Sequence, residues 1–167
     1  VKLKEEIEYL ASEINKNKSR KEILIDAVEN KSNYHHGIKT VLSLGKSNKN
    51  IIGVLGDLIT TQEGYELAIS SALAGALEFI VTTDDLTDRE TIKFLRDNKA
   101  GRATFLPVNT MKPRGVREEH LIVCKTMNGY LGLASDFVSY DEKISSVVLN
   151  QLGNIIIAKD IDTANEI

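Results

Sequence analysis

A weak internal duplication limits the fold of this chain more than any other feature of its sequence. Residues 57–73 resemble residues 136–152 at a constant offset of 79. Each copy shows apolar residues at helical spacing and is followed by a short β-branched run, at 79–81 and at 155–157. This shared order predicts two similar subdomains.

The starts of helices also match between the copies. Thr60 with Glu63, and Ser139 with Glu142, have the spacing of a capping box, in which a hydroxyl and a carboxylate satisfy free N–H groups. After the next strand, another helix is predicted to open in each copy at an offset of 75, at Asp85-Leu86 and Asp160-Ile161.

The surrounding pattern predicts an α/β (α+β) fold, because short β-branched runs alternate with helical segments. Strands are predicted at residues 51–55, 78–82, 103–108, 121–124 and 154–158. Helices are predicted at residues 34–44, 61–77, 87–99 and 141–152.

The first 31 residues differ from the rest, with seven basic and seven acidic residues and neither Gly nor Pro. Their apolar residues alternate spacings of four and three, the a/d rhythm of a coiled coil, at Leu3, Ile7, Leu10 and Ile14. Asn17 and Lys21 then occupy core positions before Leu24 and Val28 resume the pattern. A single amphipathic surface helix is the alternative. A coiled-coil partner is expected outside this chain, which has no second heptad run.

Composition and motifs exclude several kinds of function. The net charge of −3 excludes a polybasic protein, and the single Cys124 excludes an internal disulfide or a cysteine-based zinc site. No apolar run has the roughly 18 residues of a membrane span. His35, His36 and His120 lack metal-ligand spacing, and the acidic cluster Asp84, Asp85, Asp88 and Glu90 is interpreted as capping, with Thr87 and Glu90 as a capping box. No catalytic residues, metal or cofactor are predicted.

A local basic stretch stands out from the acidic average. It comprises Lys99, Arg102, Lys112, Arg114 and Arg117, around an exposed loop between the two copies. Phosphate contacts from such side chains would be salt-sensitive and independent of sequence. A solvated linker explains the composition equally well.

Several longer strings carry a family resemblance. These are "GVLGDLI", "YELAISSALAGALEFIVT", "AGRATFLPV" and "LASDFVSYDEKISSVVLNQLGNIIIAKDIDTANEI". Together they resemble the hinge domain of a structural maintenance of chromosomes (SMC) protein of bacterial type. The resemblance covers about residues 34–167, and Gly-Arg-Ala-Thr-Phe-Leu-Pro is its most specific part.

The resemblance implies two pseudo-symmetric α/β subdomains between the strands of a long antiparallel coiled coil. It divides the chain into a coiled-coil stub at 1–31, a first subdomain with its connecting loop at 32–117, and a second at 118–167. The second is expected to be incomplete, with its counterpart of residues 101–107 beyond Ile167, and the absence of an initial Met is expected of an excised segment.

The resemblance also implies a function. Family hinges dimerise, here through Gly101, Arg102, Ala103, Thr104, Phe105, Leu106 and Pro107. They bind double- or single-stranded DNA weakly, here through Lys99, Lys112, Arg114 and Arg117. The family hydrolyses ATP in a separate head domain, so this chain is expected to be a non-enzymatic part of a cytoplasmic, nucleoid-associated protein that needs no membrane.

A small-molecule-binding regulatory domain on a helical stalk is the alternative function. Arg102 distinguishes the two, because its segment would face a partner subunit in a hinge and line a pocket in a regulatory domain.

Overall fold

The computed structural model describes residues 2–29 and 34–167, with the side chains of the first helix described only in part. The chain divides between residues 35 and 36 into two units. The first contains helix α1 (Lys2–Glu29). The expected boundary at residues 31/32 lies outside the described residues.

Helix α1 exposes the stripe that the heptad pattern identified. Ile7, Leu10 and Ile14 are 62%, 53% and 55% exposed. The side chains of Leu3, Leu24 and Val28 lie outside the described residues, while Asn17 and Lys21 are exposed. The helix is confirmed, and the coiled coil stays a prediction, in which a partner helix would cover the stripe.

The second unit begins with the elements of a first half, defined here as residues 36–107. They are α2 (His36–Gly45), β1 (Ile51–Val54), α3 (Leu55–Leu58), β2 (Ile59–Thr61), α4 (Glu66–Leu73), a 3₁₀ turn (Ala74–Glu78), β3 (Ile80–Thr82), α5 (Asp85–Asp97) and β4 (Phe105–Pro107). Strands β1, β3 and β4 form one sheet in that order, with β1–β3 antiparallel and β3–β4 parallel.

The second half, residues 118–167, follows a connector defined as residues 108–117. Its elements are α6 (Glu118–Thr126), β5 (Tyr130–Leu133), a 3₁₀ turn (Ala134–Phe137), β6 (Val138–Tyr140), a 3₁₀ turn (Glu142–Ile144), α7 (Ser145–Leu152), β7 (Ile156–Ala158) and α8 (Ile161–Glu166). Strands β5 and β7 pair antiparallel, as β1 and β3 do.

The two halves meet through a small antiparallel sheet made from β2 and β6. Thr60 pairs with Ser139, its own counterpart at the offset of 79. Ile59 pairs with Tyr140, and Thr61 with Val138. Two equivalent residues face each other only at a local two-fold axis, so the duplication produces a pseudo-symmetric unit.

One hydrophobic core serves both halves. Leu55, Ile69 and Leu73 of the first half join Val147 and Leu152 of the second in a single cluster of buried side chains. Each half therefore buries its apolar face against the other.

The predicted strand at residues 121–124 is wrong, because these residues lie within α6. Its short β-branched run resembles a buried strand, yet Cys124 is the only one of the four that is buried. Glu118 and Glu119 in the first turn favour a helix through its dipole. Helix α6 precedes β5 as α2 precedes β1.

The predicted capping boxes at Thr60 and Ser139 are also wrong, because both residues lie in paired strands. Aspartates cap α5 and α8 instead. Asp84 accepts hydrogen bonds from the N–H of Thr87 at 2.8 Å and from its hydroxyl at 3.0 Å. Asp160 does the same with Thr163, at 2.8 and 2.7 Å. The later part of the repeat therefore has an offset of 76, not 75.

Candidate functional site

The segment 101–107 leaves the end of α5, crosses α2 and becomes β4. Gly37 of α2 packs so closely on this segment that a Cβ there would collide with the Arg102 main chain. Gly101 has a φ of 95°, and a Cβ on it would lie 2.7 Å from the Gly37 nitrogen. This pair of glycines lets the segment lie flat on α2.

Strand β4 lies at the edge of its sheet. The Ile80 N–H donates to the Thr104 carbonyl at 2.8 Å, and the Val108 N–H donates to Thr82 at 2.9 Å. Alternation along the strand turns the main-chain groups of Phe105 away from β3. The Leu106 side chain is buried in the core, whereas Phe105 and Pro107 are half-buried. Pro107 has no N–H to donate, so only the earlier part of this edge is able to pair fully.

An open groove of about 560 Å³, called the α5 groove here, lies between the later turns of α5 and residues 101–104, which lead into β4. Three cationic side chains line it, Arg96, Lys99 and Arg102, together with the half-exposed Ile92. Arg96 also contacts Asp97 at 3.4 Å. All its lining residues belong to the first half, so Arg102 lies in an open surface groove beside an edge strand and not between the two copies.

The structure divides the basic stretch between two places. Lys99 lines the α5 groove, whereas Lys112 and Arg114 lie on the connector with exposed side chains. Arg117 directly precedes α6, where its guanidinium lies 3.8 Å from the Glu119 carboxylate. Basic residues that are close in sequence therefore lie at separate places on the surface.

The connector is attached to α7 by its main chain. The Lys112 carbonyl accepts from the Asn150 side-chain amide at 2.7 Å. The Arg114 N–H donates to the Leu149 carbonyl at 3.2 Å. The connector main chain is thus held in place while its basic side chains face solvent.

The acidic cluster follows the capping interpretation, although Asp84 replaces Thr87 as the cap. Hydrogen bonds from the Thr83 hydroxyl and the Thr87 N–H lower the pKa of Asp84. Asp88 behaves oppositely: burial raises its pKa, against a 2.5 Å hydrogen bond from Thr82. In the described ranges no three His, Cys, Asp or Glu side chains are placed to hold a metal ion.

A pocket that the sequence did not indicate lies where the parallel strands β3 and β4 end. It has a volume of about 370 Å³ and an apolar floor from Ile51, Ile52 and Val108. Lys49 of the first half and Lys143 of the second lie at its rim, and the Lys143 amine contacts Asp141 at 3.0 Å. These lysines are far apart in sequence, so no local motif signals them.

None of the helices in residues 2–29 and 34–167 is both long and apolar enough to cross a membrane.

Comparison with known proteins identifies related chains. The family model "SMC proteins Flexible Hinge Domain" matches residues 48–167. The Chromosome partition protein Smc of Halothermothrix orenii is 38% identical over 153 residues, which cover 92% of this chain and 13% of that protein. The Bacillus subtilis protein of the same name is 33% identical over 150 residues, 90% of this chain and again 13% of the relative. The chain thus spans about an eighth of these relatives.

Solved structures agree with the sequence matches. The crystal structure of an asymmetric dimer of the Geobacillus stearothermophilus SMC hinge domain superposes with a TM-score of 0.87 at 32% identity, covering 91% of this chain and 60% of that one. The Pyrococcus furiosus SMC hinge domain gives a TM-score of 0.66 at 32% identity, covering 86% of this chain and 73% of that one.

Proposed function

This chain belongs to the SMC flexible hinge domain family, and we propose that it joins two chains of a chromosome-partition SMC protein as their dimerisation hinge. The partner is a second copy of the hinge. The observation that carries the proposal is the edge strand β4, whose Phe105 main-chain groups face away from its sheet beside the Arg102 groove. Unpaired strand edges are templates for association with another chain.

Size-exclusion chromatography with light scattering tests this proposal. The protein is expected to form dimers at tens of micromolar. Charge reversal by Arg102→Glu, at an exposed side chain of the interface segment, is expected to raise the dissociation constant of the dimer about tenfold or more. The new carboxylate would lose water on association and would meet like charge where Arg102 meets opposite charge. Lys125→Glu, an equal charge change on α6, is the matched control. A monomeric wild-type protein, or an Arg102→Glu variant that dimerises like wild type, would contradict this interface.

A weak, sequence-independent contact with double- or single-stranded DNA is the second part of the proposed function. Lys99, Lys112, Arg114 and Arg117 would contact backbone phosphates. Their exposed side chains support this role, and the attachment of the connector to α7 separates it from a free solvated linker.

Fluorescence anisotropy with labelled duplex and single-stranded oligonucleotides tests the DNA contact. The triple variant Lys112→Glu, Arg114→Glu, Arg117→Glu is expected to bind at least tenfold more weakly at low salt. The control triple Lys46→Glu, Lys93→Glu, Lys125→Glu has the same net charge at other exposed positions. If both triple variants weaken binding equally, the effect depends on net charge alone, and these residues do not form a DNA-binding site.

The same proposal assigns residues 1–31 to a coiled-coil stub and residues 32–117 and 118–167 to the two subdomains. The hinge itself would be non-enzymatic, with ATP hydrolysis belonging to the head of the parent protein, in the cytoplasm at the nucleoid. The alternative of a small-molecule-binding domain has weaker support, because Arg102 lines a groove of the first half alone.

A further inference from the structure

A polar stripe on α7 holds the connector. Ser146, Asn150 and Gly153 recur at helical spacing, so they share one face. The Ser146 hydroxyl donates to the Val108 carbonyl at 3.2 Å, and the Asn150 amide donates to the Lys112 carbonyl. A Cβ at Gly153 would collide with the Arg114 carbonyl, so the connector passes directly over this turn. The contacts therefore follow the connector from its start to Arg114.

The side-chain amide of Asn150 supplies the hydrogen-bond donor that the connector carbonyl at Lys112 needs. The Lys112 carbonyl is only an acceptor, so the side chain facing it must donate a hydrogen bond. The other end of the amide, Oδ1, accepts from the Gln151 side chain at 2.9 Å. Asn is a poor residue for a helix interior, and this one is only 9% exposed. Its counterpart on α4 is the exposed Ser71. The Asn150 amide therefore donates its hydrogen bond to the connector and not to the main chain of its own helix.

We propose that Asn150 is a positioning residue for nucleic-acid binding, which fixes the main chain of the connector so that Lys112 and Arg114 are presented together to adjacent phosphates. This inference rests on the proposed DNA contact. Asn150 is buried beneath the connector and acts through Lys112. Without this hydrogen bond the connector no longer holds Lys112 at its phosphate, so removing the amide loses one phosphate contact although the charge of the protein is unchanged.

The test compares Asn150→Leu with Asn154→Leu, which makes the same change at an exposed position after α7 and leaves the bonds of Asn150 in place. Affinity for a labelled duplex is measured over a range of salt concentrations. Asn150→Leu is expected to bind about fivefold more weakly, the loss of roughly one hydrogen-bonded contact. The slope of log affinity against log salt should fall by about one, as for one lost phosphate contact. Asn154→Leu should bind like wild type, and Asn150→Gln, which keeps a donor, should recover part of the loss.

A double-mutant cycle separates positioning from general destabilisation. Lys112→Gln together with Asn150→Leu should bind no more weakly than the weaker single variant, because both remove the same contact. Amide hydrogen exchange at Arg114 should accelerate in Asn150→Leu while exchange within α7 is unchanged. If Asn150→Leu does not fold, Ser146→Ala takes its place, with the same readouts and a smaller expected effect.

The outcomes distinguish this inference from the proposed function. If Lys112→Gln and Arg114→Gln weaken binding while Asn150→Leu matches wild type, the positioning role is overturned and the DNA contact stands. Weaker binding with an unchanged salt slope, additive with Lys112→Gln, also overturns positioning. If neither basic variant weakens binding, the DNA contact fails, and the inference fails with it.

Discussion

The two halves of the hinge follow the same path with different side chains. In each, a helix leads into a bulged strand, and the residue at the bulge is a glycine with nearly the same φ, 154° at Gly53 and 152° at Gly132. The aspartate caps at Asp84 and Asp160 repeat to within 0.3 Å. Positions that control the main chain have thus been kept alike.

Positions that fill space differ. Tyr65 stacks on Phe137 at 4.1 Å across the pseudo-two-fold axis, whereas the symmetry-related positions hold Leu58 and Ile144. The buried Thr82–Asp88 pair corresponds to Ala158 and Ala164 in the second half. The first half also carries an extra 3₁₀ turn, Ala74–Glu78, which accounts for the change of offset. A shared core lets side chains diverge if their summed volume still fills it.

The largest expected effect comes from breaking the shared core at its aromatic contact. Phe137→Ala should lower the free energy of unfolding by about 3–5 kcal/mol, and Leu58→Ala, at the related, less buried position, by about 2–3 kcal/mol. Both variants should keep a single transition, because the two halves share one cluster of buried side chains. Urea unfolding followed by circular dichroism and tyrosine fluorescence checks this. Two separate transitions would show independent subdomains.

Substitution of the two bulge glycines, Gly53 and Gly132, should lower the stability by a smaller amount and in a defined order. An alanine at either position would adopt a backbone conformation that L-residues rarely take, at a cost of about 1–3 kcal/mol. Gly132→Ala should be the worse, because its Cβ would lie 3.1 Å from the Phe137 ring, against 3.4 Å from the flexible Leu58 in Gly53→Ala. Gly75→Ala, with open space around its Cβ, is the control. Thermal unfolding gives the order, and a reversed order would contradict the tighter packing around the bulge of the second half.

Asp88 gives the first half a buried titrating carboxyl group that the second half lacks, since its counterpart is Ala164. Burial raises its pKa, as do the nearby Asp84 and Asp85 carboxylates, although the Thr82 hydrogen bond opposes this. The folded protein therefore binds the proton more tightly than the unfolded chain does. The resulting stabilisation is present below the unfolded pKa, near 3.9, and is lost as pH rises through the folded pKa.

Asp88→Asn removes this titration and leaves the other carboxylates in place. The free energy of unfolding of wild type should therefore fall relative to Asp88→Asn as pH rises from 3 to 7. Denaturant unfolding at several pH values measures the difference, with the exposed Asp97→Asn as control. A difference that is independent of pH would contradict the raised pKa.

The smallest effect on stability is expected on α4, where the described residues include no connector like the one packed on α7. Leu67 corresponds to Ser146, and it is 80% exposed because no connector covers it among the described residues. Leu67→Ser should change the free energy of unfolding by no more than about 0.5 kcal/mol. A loss of 2 kcal/mol or more in thermal unfolding would show that this stripe is covered in solution.

Much of the fold was predictable because its signals are local. The helices at α2, α5 and α7 and the strands β1, β3, β4 and β7 follow from periodicity and β-branched runs, with ends displaced by a few residues. The missed strands, β2, β5 and β6, have three or four residues each and depend on long-range pairing. Thr60 and Ser139 have the spacing of helix caps, and the partner strand of the other half outweighs that preference.

The basic stretch shows the same limit at the candidate site. Sequence identified Lys112 and Arg114 by charge, and it identified the segment 101–107 by resemblance. It had no means of indicating Asn150, because an asparagine 38 residues away signals nothing until α7 is placed beneath the connector. Lys49 and Lys143 were missed for the same reason.

By itself the sequence determined the duplication, the mixed α/β class, the charge of the connector and the family to which the chain belongs. These follow from composition and short-range spacing, which the chain carries before it folds. Only the tertiary structure decided that the halves share one core, that β4 lies at a sheet edge and that the connector is held on α7. Each of these depends on hydrogen bonds or burial between residues far apart in sequence, and such contacts exist only once the chain has closed on itself.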